Sequence, residues 1–244
     1  KTYGSGRWFP GSRAELVTAV EGYMASAELQ PVSGRIVGGI APHAGYVYSG
    51  PVAGYTFRAL QENAARVGMP EVVVILGFNH RGGLPGVSLM DGDAIATPIG
   101  ETALDREAGS VLVAASDRIR FDSRPHEGEH SAENEIPFAQ VALPEARLVV
   151  GLIGDHDMET FDALASALHQ LSQRTRIVVV ASTDLLHDAS YERVSHTDRT
   201  TLQQIADLDE RGLRNAWSPA EQICCGIGPV LTLLKYARLQ GVES

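Results

Sequence analysis

Four stretches of this chain are almost continuously apolar, and each gives way to a short polar loop followed by helical spacing. They are Ile36 to Ile40, Glu71 to Gly77 (EVVVILG), Arg147 to Gly154 (RLVVGLIG) and Ile177 to Ser182 (IVVVAS). Such β-branched runs read as strands buried on both faces. The intervening segments predict helices. Ser12-Arg13-Ala14-Glu15 matches a capping box and opens a helix to about Met24. Pro51 to Val67 reads as a helix with proline in its first turn. Asp105 caps a helix to about Ala115. Thr160 to Leu171, Tyr191 to Leu208 and Pro229 to about Leu239 complete the set. Weaker patterns make Val87 to Met90 a short strand and Ala94 to Gly100 a loop or edge. Arg118 to His130 is irregular and polar, and a polar turn follows Leu208. Ser131-Ala132-Glu133-Asn134 begins a short helical segment interrupted by Pro137. Lys1 to Gly11, with Trp8-Phe9-Pro10, reads as an extended arm laid on the body. Strands alternating with helices predict one three-layer α/β domain over 1–244. Its central sheet is largely parallel or mixed, with helices on both faces.

Composition narrows the partners. Of 244 residues, 44% are apolar and 20% charged, which supports a substantial core. The net charge is −10 and no Lys/Arg cluster stands out, which argues against nucleic acid and an anionic membrane as partners. No apolar run reaches spanning length and no signal peptide is visible. The chain opens on Lys1 instead of methionine, as a processed or trimmed chain would. Its two cysteines, Cys224 and Cys225, are adjacent, which excludes a disulfide framework and suits a reducing cytosol.

The chemistry gathers at the strand exits. His43, His80, His156 and His187 each follow one of the four strong strands, and they are half of the eight histidines. In a parallel sheet such exits share one edge, where open α/β folds place their ligands. A single loop histidine is more often a hydrogen-bonding group without chemistry; four favour a metal or acid/base site. Free cysteine is usually a small buried residue. Cys225, however, precedes a glycine turn and a helix N-terminus, where backbone N–H groups favour thiolate. Two imidazoles plus a thiolate suit iron, copper or zinc rather than magnesium or calcium. Asp184 and His187, three apart, form a candidate acid/base pair beside the alternative of a capping aspartate and a surface histidine. His130, with Glu129 and Glu133, is a further acid/base candidate. His126-Glu127-Gly128-Glu129-His130 fits the H-E-x-x-H pattern of zinc proteases. That pattern needs a helix, and Pro125, Gly128 and the lack of apolar periodicity count against one.

Several motifs together resemble the Memo family, also found as the Memo part of the AmmeMemoRadiSam system. They are Pro42-His43-Ala44-Gly45-Tyr46 with Tyr48-Ser49-Gly50, Asn79-His80, and Ala96-Thr97-Pro98-Ile99-Gly100. Next come His126-Glu127 with Glu129-His130-Ser131, Ile136-Pro137-Phe138, and Ser182-Thr183-Asp184-Leu185-Leu186-His187. Cys225-Gly226 with Pro229 and the Arg7-Trp8-Phe9-Pro10 arm complete the match. The resemblance implies a fold like that of class III extradiol dioxygenases. It implies a metal held by His43, His80 and Cys225, with Asp184 and His187 lining the pocket. A thiolate in place of the carboxylate used by the dioxygenases points away from ring cleavage and towards a redox-active site. Fe(II) is the first expectation, copper the second and zinc the third.

The leading functional expectation is an oxidoreductase acting on a small molecule with O2 or a reduced oxygen species. In it His187, oriented by Asp184, shuttles a proton; His130 supports substrate or oxygen; Tyr46 and Asn79 shape the pocket. A Memo-type binding module for phosphopeptides and a zinc hydrolase are the alternatives. Two departures from the family pattern stand out. Phe78 occupies the place of a small residue or proline before Asn79-His80, and the chain stops at Ser244, where relatives usually continue with a C-terminal segment.

Overall fold

The computed structural model describes residues 1–243. In chain order the elements are α1 (Arg13–Ala25), β1 (Gly38–Ala41), α2 (Tyr46–Val67), β2 (Val72–Phe78), β3 (Val87–Leu89), β4 (Ala94–Thr97), β5 (Gly100–Ala103), α3 (Arg106–Ala115) and β6 (Ile119–Phe121). There follow α4 (Ile136–Ala142), β7 (Arg147–Ile153), α5 (Met158–Ser172), β8 (Ile177–Ser182), α6 (Tyr191–Ala206), α7 (Glu210–Ala216) and α8 (Ile227–Leu239). Six strands form one sheet in the order β1-β8-β2-β7-β3-β6, and β4-β5 make a separate hairpin. The β1, β8, β2 and β7 strands are mutually parallel, β3 runs antiparallel to β7, and β6 is parallel to β3. The sheet is therefore mixed, with its parallel part built from the four strongest apolar runs.

Strand alternation divides the core into two layers. Val72, Val74 and Leu76 of β2 face a layer with Leu164 and Leu168 of α5 and Val230 and Leu234 of α8. Val73 and Ile75 face the other layer, with Leu16 and Val20 of α1, Phe57 of α2 and Phe138 of α4. Both faces being buried explains why these strands carry no polar alternation. The three-layer arrangement expected from the sequence is present.

Several boundaries differ from the sequence reading. The α2 helix begins at Tyr46, so Pro51 lies inside it. Gly50 and Gly54 do not break it, because a Cβ at either position would collide with Tyr23 of α1, ring at the first and backbone at the second. They are contact points between two helices. The loop carrying His43 consequently shrinks to Pro42–Gly45. The predicted irregular stretch contains β6 and a 3-10 turn, Arg124–His126, and the polar turn after α6 contains α7. Ala94 to Gly100 forms most of a hairpin with Gly100–Ala103. Pro137 sits in the first turn of α4, where its missing N–H costs nothing, and does not interrupt it. Among the described residues no helix is long and apolar enough to cross a membrane.

Candidate metal centre

The strand order decides which exits can meet. Neighbouring strands are about 4.8 Å apart. His43 leaves β1 and His80 follows β2, on either side of β8, so their rings lean together over the β8 exit, with centroids 5.3 Å apart. His156 follows β7, one strand further out. It does not join them: its ring lies against Trp217 with centroids 4.2 Å apart and planes tilted by 42°, and Phe78 stands between it and His80 with centroids 5.3 Å from each. His130 arrives from a different direction, on the segment before α4. Its ring lies 4.9 Å from His80 and 5.4 Å from His43. One ring nitrogen from each of His43, His80 and His130 lies within 4.8 Å of the other two.

Each ring is held from behind. The Nδ1 of His43 is 2.9 Å from Ser182 Oγ, and the Nδ1 of His80 is 2.9 Å from Glu129 Oε1. Both therefore offer Nε2 to the common space. Glu129, 4% exposed, also accepts backbone N–H groups from His80, His130 and Ser131. Burial would push its carboxyl up, but the bonds from His80 and Ser131 outweigh it and bring it to about 2. Trp8 of the N-terminal arm lies flat on His130, centroids 4.1 Å apart and planes 7° apart. The arm is fastened by Glu133, whose carboxylate accepts the N–H groups of Tyr3 and Gly4.

Cys225, expected from the sequence as the third ligand, lies beside His43 but is not among the three residues whose ligand atoms all come within 4.8 Å of one another. Its Sγ is 3.2 Å from His43 Nε2 and accepts the Asp184 N–H at 3.2 Å. Gly226 makes this approach feasible, since a Cβ there would run into the Ser182 carbonyl and Thr183. Burial would push the Cys225 thiol up, but His43 and His80 overcome it and bring it to about 6. Burial pushes its neighbour Cys224 the other way, to about 12. The Cys225 sulfur, then Glu129, hold His80 up to about 10. His43 would be lowered by burial, yet Cys225, Asp184 and Glu135 leave it raised. His130 is pushed down to about 4 by burial, with the charge on His43 adding to it. The site thus sets a thiolate among imidazoles of unequal basicity, a donor set that fits a borderline or soft cation.

The remaining expected residues fall around this centre. Asp184 Oδ1 accepts the N–H groups of His43 and Ala44, and Oδ2 is 3.9 Å from His43 Nε2. His187 stands at the rim with three-quarters of its side chain exposed, 3.8 Å from Asp184 Oδ2. Tyr46 is buried and its hydroxyl donates to the Asn134 carbonyl, while Asn134 Nδ2 donates to the His43 carbonyl. Asn79 is buried and donates to the Gly82 carbonyl, which shapes the β2 exit loop. His126 turns away and bonds the Ser88 carbonyl at 3.1 Å. Because Glu127 and Gly128 leave the 3-10 turn, with Gly128 at φ +70°, His126 and His130 do not share a helix face and the zinc-protease arrangement is absent. Sequence reasoning missed the support of Ser182, the buried Glu135 and the stack of Trp8 on His130. A serine ending a fully apolar strand was the one available signal.

The profile of the Memo-like protein family matches residues 2–244. The chain belongs to the Memo family. A MEMO1 family protein of Pyrobaculum aerophilum is 33% identical over 249 residues, covering 97% of this chain and 86% of that protein. Another, from Thermococcus onnurineus, is 30% identical over 97% of this chain and 87% of its own length. A third, from Methanothermobacter thermautotrophicus, is 36% identical over 85% of this chain and 74% of that protein. A crystal structure of an uncharacterized protein from Escherichia coli K12 aligns with a TM-score of 0.49 at 15% identity, over 74% of this chain and 81% of that one. That likeness is too distant to carry an argument about chemistry. For this Memo protein, geometry and family membership together support a centre of three imidazoles able to hold a metal.

Proposed function

We propose that this Memo protein is a metal-dependent oxidoreductase acting on a small molecule, with Fe(II) first and copper second as the metal. His43, His80 and Cys225 would hold it, with His130 in the same group. The observation that carries this reading is the meeting of three imidazole nitrogens within 4.8 Å beside a sulfur 3.2 Å from His43. Nitrogen and thiolate donors select redox-active iron or copper, and also zinc, over hard cations. When bound, iron or copper supplies one-electron chemistry between the substrate and O2 or a reduced oxygen species.

The chain's own groups supply the rest. Glu129 and Ser182 fix ring orientation, which metal-ligating histidines need. Asp184 holds the His43 loop by two N–H groups and presents its other oxygen between the buried His43 and the exposed His187. An imidazole in solvent, one carboxylate away from the centre, is placed to exchange a proton with water. A cavity of about 420 Å³ opens on the outer side of Asp184, walled by Ile40, Pro42, Val52, Leu202 and Ile205. No lysine or arginine lines it. An apolar or uncharged substrate suits that wall better than a phosphorylated peptide.

Anaerobic reconstitution of wild type and His43→Ala, followed by element analysis, tests the ligand set; equal metal uptake by both would reject it. Oxygen consumption by iron-loaded against zinc-loaded protein tests the chemistry, since zinc has no redox activity. Equal rates from both would reject the oxidoreductase reading.

A further inference from the structure

The outer face of α2 is apolar where a surface helix is ordinarily polar. Tyr46 to Phe57 carries no charged residue. On the inner side Tyr46, Ser49, Gly50, Ala53, Gly54 and Phe57 are buried. The Ser49 and Thr56 hydroxyls are used within the fold, on the carbonyls of Ala44 and Ile40. The outward positions are Val47, Tyr48, Pro51, Val52 and Tyr55, with Val47 78%, Tyr48 81% and Val52 59% exposed. Half-exposed Leu202 of α6 extends this surface across the cavity beside Asp184, which Tyr48 and Val52 also line. The second half of α2 differs, with Glu62 and Arg66 exposed. A helix apolar on every side belongs in an interior, and a contiguous set of large exposed apolar side chains marks an interaction surface.

We infer that this face is the interface of a two-fold symmetric dimer, with α2 packed on α2 of a second copy. Charge selects that occupant. At −10, two copies repel over much of their surface and come together only through a patch without charge. Geometry agrees. Val47, Pro51 and Tyr55 form one i, i+4 row and Tyr48 with Val52 the next, so an antiparallel second copy presents the same rows and the contact is self-complementary. The area suffices. At their exposed fractions Val47, Tyr48, Val52, Tyr55 and Leu202 leave roughly 400 Å² of side chain in water. Two such faces bury about 800 Å² of apolar surface, and with apolar atoms near 65% of a homodimer interface the whole contact is about 1,200 Å², at the lower end of the range for specific pairs. The second copy also roofs the cavity beside Asp184, whose exposed wall is part of the patch. The dimer is independent of the metal and of the reaction at the centre.

Sedimentation equilibrium of the metal-free full chain, at about 1 to 100 µM, reads the assembly, and an interface of this size should give a micromolar dissociation constant. Tyr48→Lys and Val52→Lys should each raise it at least about 30-fold, because each change enters the contact twice. Val67→Lys, at an exposed apolar position in the last turn of α2 outside the patch, should leave it within about threefold. Lysine makes the net charge less negative, so dissociation of the first two variants cannot come from added repulsion between whole molecules. Far-ultraviolet circular dichroism checks that the variants fold; Tyr48, the most exposed residue of the patch, decides alone should Val52→Lys not fold. A wild type that stays monomeric at about 100 µM overturns the interface. Monomers that bind neutral lipid vesicles give the face a different occupant and overturn it equally. Dimers of undiminished strength in Tyr48→Lys and Val52→Lys, or an equal loss in Val67→Lys, place the contact elsewhere and are just as fatal.

Discussion

Replacing Glu129 by glutamine changes one atom and should disable the centre. Glu129 Oε1 accepts from His80 Nδ1, His130 N and Ser131 N, each at 2.9 Å, and Oε2 accepts from His80 N at 2.9 Å. All four partners are donors, so a side-chain amide cannot satisfy them. Its better orientation keeps oxygen towards the three donors and aims the NH2 at the His80 N–H. That buried donor–donor contact costs about 1–3 kcal/mol in folding. His80 also loses the anion behind its Nδ1–H, and a charge-assisted bond is roughly twice as strong as a neutral one. Loss of such a partner typically weakens metal binding about 10- to 100-fold, or about 1.4–2.7 kcal/mol. The assay is competition for Zn(II) against a chromophoric chelator, run beside urea unfolding of the metal-free proteins. The expected outcome is a dissociation constant raised at least tenfold in a folded Glu129→Gln protein. A folded variant with wild-type zinc affinity would refute the claim that Glu129 organises His80 and His130.

Other consequences are open to measurement. Metal-free protein should show one thiolate titrating near pH 6 by ultraviolet absorbance, lost in Cys225→Ser and retained in Cys224→Ser. His126 should make the fold acid-sensitive. Burial holds its folded pKa near 4, below the ordinary 6.5, so its contribution is complete above pH 6.5 and is lost as pH falls through that window towards 4. The loss, on the order of 3 kcal/mol, should disappear from the pH dependence of urea unfolding in His126→Gln, while His130 and His156 still contribute in the same direction. Trp8→Ala removes the flat stack on His130. It should cost about 0.5–1.5 kcal/mol, seen as a several-fold weaker zinc affinity, and unchanged affinity would make the arm irrelevant to the centre.

The fold was legible where hydrophobic runs were long, and less so where backbone contacts overrode local signals. Both-face burial wrote β2, β7 and β8 plainly into the chain. Gly45, Gly50 and Pro51 looked like punctuation, yet Gly50 and Pro51 are interior residues of α2, Gly50 lying against the Tyr23 ring. Short β6 carries too few residues for a period, and its place is set by pairing with β3. At the site, the exit histidines share one edge of the sheet, but strand order decides which of them meet, and order is a property of the whole sheet. That is why His156 was an attractive and separate candidate. Glu129 and His130 were visible as a cluster, whereas Glu135, buried behind Ser182, carries no motif of its own.

The groups around the centre come from residues 8, 43, 80, 130, 184 and 225, so nearly the full length of the polypeptide must be threaded before they meet. Loops this long close slowly, and no isolated fragment can reproduce the site. Occupancy of the proposed site by a cation would therefore report completion of folding, and the cation would in turn raise the melting temperature by mass action. In a cell, scarcity of such a cation would then shorten the protein's lifetime, which would couple abundance to metal supply without any dedicated sensor.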